Sequence, residues 1–313
     1  MIQRKVDKLK LFRLFDDRDI EIPFIRYGEG EPKILIVTTV HGNEVSTIYL
    51  IWRLMEYIES RGNLLGSIDI LLGVNYLGIL FNERYEPLSN TDINRLYPGM
   101  DGPGLASHIA KKVFDIASKG YGFVIDLHGA GNSIPHIIID DLDSPLKDFI
   151  VDIASKSGIP YVYDYYDMDI YRRLGLDKSL PPNLIKRGIP SLTFETPSRN
   201  INDRSISVSF SGLLNILISL GVIEGSYIDI DDLPRDLSGL YRRAIYSNFT
   251  GFVEAFKKPG ETFNKFEDIA LIRNIYGDIM ERLRVDSRGY VISIKTYGVV
   301  PAYGWVASVG VVR

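Results

Sequence analysis

Only four histidines occur in this chain, His41, His108, His128 and His136, and there is no cysteine. A bound metal would therefore rest on histidine and carboxylate ligands alone. His41 begins the string His41-Gly42-Asn43-Glu44, directly after Lys33 to Thr39, an apolar, β-branched run of the kind buried on both faces of a sheet. From Glu44 to about Ser60 the apolar residues fall at helical spacing. The pattern thus puts His41 at the C-terminal end of a strand and Glu44 at the opening of the next helix, in the crevice where open α/β sheets bind ligands. A histidine and a carboxylate three residues apart can close on one cation there, with Gly42 permitting the bend. The pair alone is a weak signal, because a helix-opening acid beside an incidental histidine looks the same.

Two further strand ends strengthen it. Tyr121 to Leu127 delivers Asp126-Leu127-His128-Gly129 to its end, and Ile189 to Phe194 ends at Glu195. Two histidines and a glutamate are a set used by catalytic zinc, which leaves a fourth position for water. At this stage either Glu44 or Glu195 can be that glutamate. Asp126 is placed to accept the second ring N–H of His128. His108, in mid-helix, and His136, after Pro135, read as structural residues. Arg84 and Arg95, with Asn94 beside the latter, lie between the two candidate ligand histidines. Two guanidinium groups on one loop suit a bidentate grip on a carboxylate and the polarisation of a carbonyl.

The elements that must position these groups alternate strand and helix from about residue 15 to 222, which predicts a mainly parallel or mixed sheet covered by helices on both faces. Residues 161 to 187 read as a long, tyrosine-rich loop. Residues 223–246 read as a linker, and 247–313, with turn signals every ten residues or so, as a small all-β domain. The boundaries are therefore 1–222 for the catalytic domain, 223–246, and 247–313. The last domain is expected to restrict access to the site; its Tyr297 and Tyr303 could reach the cleft, although packing in the domain's core is the favoured role for each. A net charge of −4 and mixed surface charges give no reason to expect nucleic acid or a membrane surface as partner. The lack of an apolar leader points to the cytoplasm.

Taken in order, His41-Gly42-Asn43-Glu44, Asn75 with Arg84 nine residues on, Asp92-x-Asn94-Arg95-x-x-Pro98-Gly99, Asp126-x-His128-Gly129 and Phe194-Glu195 resemble the succinylglutamate desuccinylase/aspartoacylase family, relatives of the zinc carboxypeptidases. The resemblance implies one Zn²⁺ per chain on His41, Glu44 and His128, with Glu195 as general base. It also implies Arg84 at the oxyanion and Asn94 with Arg95 on a substrate carboxylate. The chain departs from the family at Tyr76-Leu77-Gly78, where a Pro-x-Ala turn is usual. None of Tyr161, Tyr163, Tyr165 and Tyr166 stands out as the family's substrate-contacting tyrosine. The expected activity is hydrolysis of the amide of a small N-acyl amino acid bearing a free carboxylate. The rival readings are a metallocarboxypeptidase acting on a peptide or cell-wall fragment, and a non-catalytic metal-binding scaffold. The oligomeric state stays open, a homodimer among the options.

Overall fold

A computed structural model describes residues 2–100, 104–164, 168–199, 201–231 and 233–312. Two antiparallel strands lead in, β1 (Lys5–Arg13) and β2 (Asp19–Tyr27). They are followed by β3 (Lys33–Thr38), α1 (Ser46–Arg61), β4 (Ser67–Leu71), α2 (Tyr76–Phe81), α3 (Leu105–Ala117) and β5 (Phe123–Gly129). Next come β6 (His136–Asp140), α4 (Lys147–Lys156), β7 (Tyr161–Asp164), α5 (Met168–Arg173), α6 (Leu180–Ile185), β8 (Ser191–Thr196) and α7 (Asp203–Ser219). The remainder is β9 (Leu240–Tyr246), β10 (Gly251–Ala255), β11 (Thr262–Phe263), β12 (Asp268–Arg273), β13 (Ile279–Arg284), β14 (Gly289–Ile294), β15 (Tyr297–Val300) and β16 (Trp305–Val311).

One mixed sheet organises the molecule, in the order β1-β2-β4-β3-β5-β8-β6-β7-β9-β16-β14-β11. Strands β4, β3, β5 and β8 are parallel, whereas β6 runs antiparallel to β8 and parallel to β7. Side chains alternate across this sheet. Ile34, Ile36, Ile125, Leu127, Leu192 and Phe194 face α1, α4 and α7, while Leu35, Val37 and Val124 face α3 and α6. Asp126 and His128 are out of phase with Ile125 and Leu127, so they share the second face. That face carries the site.

Helix α1 starts at Ser46, two residues later than the periodicity suggests, because Glu44 is drawn into the turn before it; Gly62 ends it in the left-handed region at φ 67°. Residues 161 to 187 are not one loop: they hold β7, α5 and α6. Nor does 223–246 only connect, because β9 pairs with β7 on one side and β16 on the other. A second, antiparallel sheet, β13-β12-β10-β15, packs through Val253, Ile272 and Leu283 against Val291 and Val309 of the large one. Tyr297 and Tyr303 are exposed, not core residues. The C-terminal strands also touch the loop after His128. Ile134 N–H donates to the Ile292 carbonyl, and the Asn132 amide donates to Thr296 Oγ1 at 2.8 Å. Among the described residues, no helix is long and apolar enough to cross a membrane.

Candidate metal centre

The end of β3 is stitched to the segment after β4. Val74 and Asn75 N–H groups donate to the Thr38 and Thr39 carbonyls, and Gly73 N–H donates to Thr39 Oγ1 at 3.0 Å. Thr39 is held at φ 55°, where a β-branched residue is an outlier of the kind found beside functional sites. Gly42 is not in the left-handed region, so the bend does not require it. Close approach does: a Cβ there would fall 2.0 Å from the Gly78 carbonyl carbon of α2. Helix α2 is capped by Asn75, whose Oδ1 accepts from Gly78 N–H. The same amide donates to the Arg84 and Tyr85 carbonyls. Gly42 thus lets the helix and the Arg84 loop seat against the His41 turn.

His41, Glu44 and His128 meet there, all buried. Glu44 Oε1 lies 2.8 Å from His41 Nδ1, Glu44 Oε2 lies 3.0 Å from His128 Nδ1, and the two Nδ1 atoms are 3.1 Å apart. Gly129 N–H also donates to Glu44 Oε2 at 2.8 Å. The far nitrogen of each ring faces a carboxylate: His41 Nε2 is 3.1 Å from Asp92 Oδ1, and His128 Nε2 is 3.0 Å from Asp126 Oδ2. Each ring therefore has a carboxylate at both nitrogens, and with the Nε2 proton directed at Asp92 or Asp126, Nδ1 is the nitrogen left to turn a lone pair toward a metal. A cation that displaced the Nδ1 protons would meet two lone pairs and a carboxylate converging on one point. Four-coordinate zinc with bonds of 2.0–2.1 Å has ligand–ligand edges of about 3.3 Å. The triad fits such an ion with a slight expansion.

The buried carboxylates and rings stabilise one another's charge. Burial alone would raise the Glu44 pKa, but His41 and His128 outweigh it and keep the carboxylate well below its ordinary range. Burial opposes charge on His128, yet Asp126 and Glu44 hold its pKa well above the usual imidazole value. Asp92 is likewise kept low against burial by His41, with Arg84 and Arg95 adding. Glu195 is paired in register with His128, and its Oε2 is covered and has no hydrogen-bond partner. Burial pushes its pKa up to about 7, against the pull of His128 and with Glu44 adding to the rise.

Arg84 donates to Asp92 Oδ2 at 3.1 Å and to Glu44 Oε1 at 3.4 Å, which points its guanidinium at the triad. Asn94 is buried, and its Oδ1 accepts from Leu180 N–H. Arg95 donates to the Leu174 and Asn94 carbonyls. Burial, with Arg84 and Arg242 nearby, lowers its pKa although Asp92 resists. His136, opposite Glu195 on β6, donates from Nδ1 to the Ile134 carbonyl, and burial takes its pKa down to about 4. His108 lies half-buried on α3, outside the triad. Tyr161 and Tyr163 meet edge to face on the opposite face of the sheet; Tyr165 and Tyr166 lie outside the described residues. On the site face Tyr171 donates instead to Asp140 at 2.5 Å. Sequence reasoning passed over two groups here. Asp92 stands in the motif with Asn94 and Arg95 and accepts from Asn94 N–H, but nothing in the sequence shows that it backs His41. Arg242 sits in an apparent linker, yet it pairs with Asp164 at 2.6 Å and its charge reaches Glu195.

Residues 30–169 match the Succinylglutamate desuccinylase/Aspartoacylase catalytic domain family. N-alpha-acetyl-L-2,4-diaminobutyric acid deacetylase of Halomonas elongata is 21% identical over 263 residues, covering 81% of this chain and 73% of that protein. In the succinylglutamate desuccinylase/aspartoacylase structure from Rhodobacter sphaeroides the fold recurs with a TM-score of 0.83 at 21% identity, over 99% of this chain and 96% of the other. The product-bound ectoine utilization protein EutE (DoeB) from Ruegeria pomeroyi gives a TM-score of 0.80 at 19% identity, over 99% and 95%.

Proposed function

We propose that this protein, whose residues 30–169 match the succinylglutamate desuccinylase/aspartoacylase catalytic domain, is a zinc-dependent deacylase that hydrolyses the amide of a small N-acyl amino acid. The observation that carries the proposal is the inward convergence of His41 Nδ1, His128 Nδ1 and the Glu44 carboxylate beside Glu195, whose covered Oε2 has no hydrogen-bond partner. One zinc ion held by the three would supply Lewis acidity toward the scissile carbonyl and lower the pKa of its water.

The chain's own residues do the rest. Asp92 and Asp126 fix the tautomer and aim of the two imidazoles. Glu195, with a pKa near neutrality, takes the proton of the attacking water and passes it to the leaving nitrogen, worth on the order of 10²–10⁴-fold. Arg84 faces the charge that develops on the carbonyl oxygen. Arg95, with Asn94, receives the substrate carboxylate; the hydrogen bonds of Arg95 go to the neutral Leu174 and Asn94 carbonyls. The strands from β10 to β16 wall the cleft through the 132–134 loop and limit it to small substrates. The named diaminobutyric acid relative makes N-acetyl amino acids the first substrates to try.

The test is a panel of N-acetyl and N-succinyl amino acids offered to the zinc-loaded protein. Glu195→Gln should keep its zinc and lose at least 100-fold in kcat, whereas His128→Ala should lose the zinc itself. A Glu195→Gln protein that sheds its metal would make Glu195 a ligand and refute the assignment.

A further inference from the structure

Arg95 is aimed by a segment far from it in sequence. Its Nε donates to the Leu174 carbonyl at 2.9 Å and its Nη1 to the Asn94 carbonyl at 2.8 Å, which fixes the plane of the guanidinium. Its stem lies against Gly175, where φ is 65° and a Cβ would come 3.1 Å from Arg95 Cδ. Asn94 is held from the same side. Leu180 N–H donates to its Oδ1 at 3.3 Å, so the NH2 end of the amide is the one turned elsewhere, and that end is the donor a carboxylate needs. Tyr97 N–H donates to the Lys178 carbonyl at 2.9 Å. The backbone from 174 to 180 is thus the mould in which the Asn94–Arg95 turn is set.

The mould must itself be seated. From Leu180 onward α6 is fixed, because Leu180 and Leu184 lie in the core on the site face. Ahead of it stands α5, whose six residues are too few for a helix to persist without tertiary contacts. Among the described side chains of α5, only Tyr171 is buried. Its ring packs with Leu176 against Ala244 of β9, and its hydroxyl reaches past β7 to donate to Asp140 Oδ1 on β6 at 2.5 Å. A buried carboxylate requires such a donor, and a hydrogen bond to an ionised acceptor is the stronger kind. Burial and the neighbouring Asp164 push the Asp140 pKa up to about 7, against the pull of Tyr171.

We infer that Tyr171 and Asp140 are positioning residues for the substrate clamp: their hydrogen bond pins residues 168–178 to the sheet, and through the Leu174 carbonyl that segment aims Arg95. Both are buried and committed to each other, so they act on the substrate only through Arg95 and Asn94. The inference rests on the proposed carboxylate-binding role of those two residues and adds the pair that keeps them in place.

Tyr171→Phe removes the hydroxyl and keeps the ring. In the zinc-loaded protein, hydrogen exchange at the Tyr97 and Leu180 amides should speed up about 10-fold, while the β3 and β5 amides keep the parent rates. On the N-acetyl or N-succinyl amino acid that the parent turns over fastest, KM should rise about 10-fold with kcat within about twofold, and the same substrate masked as its carboxamide should show no change in kcat/KM. Asp140→Ala should raise KM to the same extent, and the double variant should do no worse than either single one. Parent exchange rates at Tyr97 and Leu180, an equal loss on free and masked substrates, or additive effects of the two substitutions would each overturn the inference and leave the clamp standing. A parent protein that does not prefer the free acid to the carboxamide would overturn the clamp itself, and one that hydrolyses no member of the panel would overturn the deacylase reading; the inference falls with either.

Discussion

Gly42→Ala is the substitution whose effect the structure predicts most directly. The added Cβ would lie 2.0 Å from the Gly78 carbonyl carbon, 2.3 Å from Ile79 N and 2.4 Å from Gly78 O, all backbone atoms of α2. Ordinary contact needs about 3.5 Å, so the helix must retreat by more than about 1 Å. It cannot do so alone, because Asn75 caps it and holds the Arg84 and Tyr85 carbonyls. Arg84 would move with it, away from Glu44 and Asp92. Overpacking of this kind costs roughly 1–3 kcal/mol, and a misplacement of about 1 Å at a catalytic group costs on the order of 100-fold in rate. The measurements are the melting temperature and kcat on whichever N-acyl amino acid is turned over. We expect a melting point lowered by several degrees and a kcat lowered about 100-fold. An alanine variant matching the parent in both would show that α2 does not seat on Gly42 and would refute the reasoning.

The two arginines should separate kinetically. Arg95→Ala should mainly raise KM and Arg84→Ala mainly lower kcat, because oxyanion contacts strengthen in the transition state; a substrate with its carboxylate masked as an amide should behave toward the parent as the free acid does toward Arg95→Ala. Equal kcat/KM for the free and masked substrates would remove the carboxylate clamp. His136 should give acid sensitivity. Its folded pKa of about 4 lies below the unfolded value near 6.5, so the unfolded chain binds more protons between those limits, and stability is lost as pH falls from 6.5 toward 4. The loss attributable to it is at most about 3 kcal/mol. Denaturant unfolding of the parent and of His136→Gln at pH 7 and pH 5 should show the shallower dependence in the variant, and parallel dependences would rule the group out.

The sequence by itself determined the elements around the site and the residues they carry. The run Lys33 to Thr38 is too apolar to be anything but an inner strand, and His41, His128 and Glu195 had to emerge near strand ends because the hydrophobic runs stop there. Local pattern also told the α/β part from the β-rich part. It could not show which groups meet across long separations. Asp92 is 51 residues from His41, and only the packing of the loop makes it that ring's partner. Tyr161 and Tyr163 looked available until strand register put them on the far face. Residues 240–246 looked like a connection because the acidic stretch and Pro234 before them resemble one, yet they pair on both sides, which a chain read one residue at a time cannot reveal. Gly42 carries the same lesson. Its type suggested a bend, and its reason is a helix lying against it, a contact that exists only once the strands have brought Gly78 there.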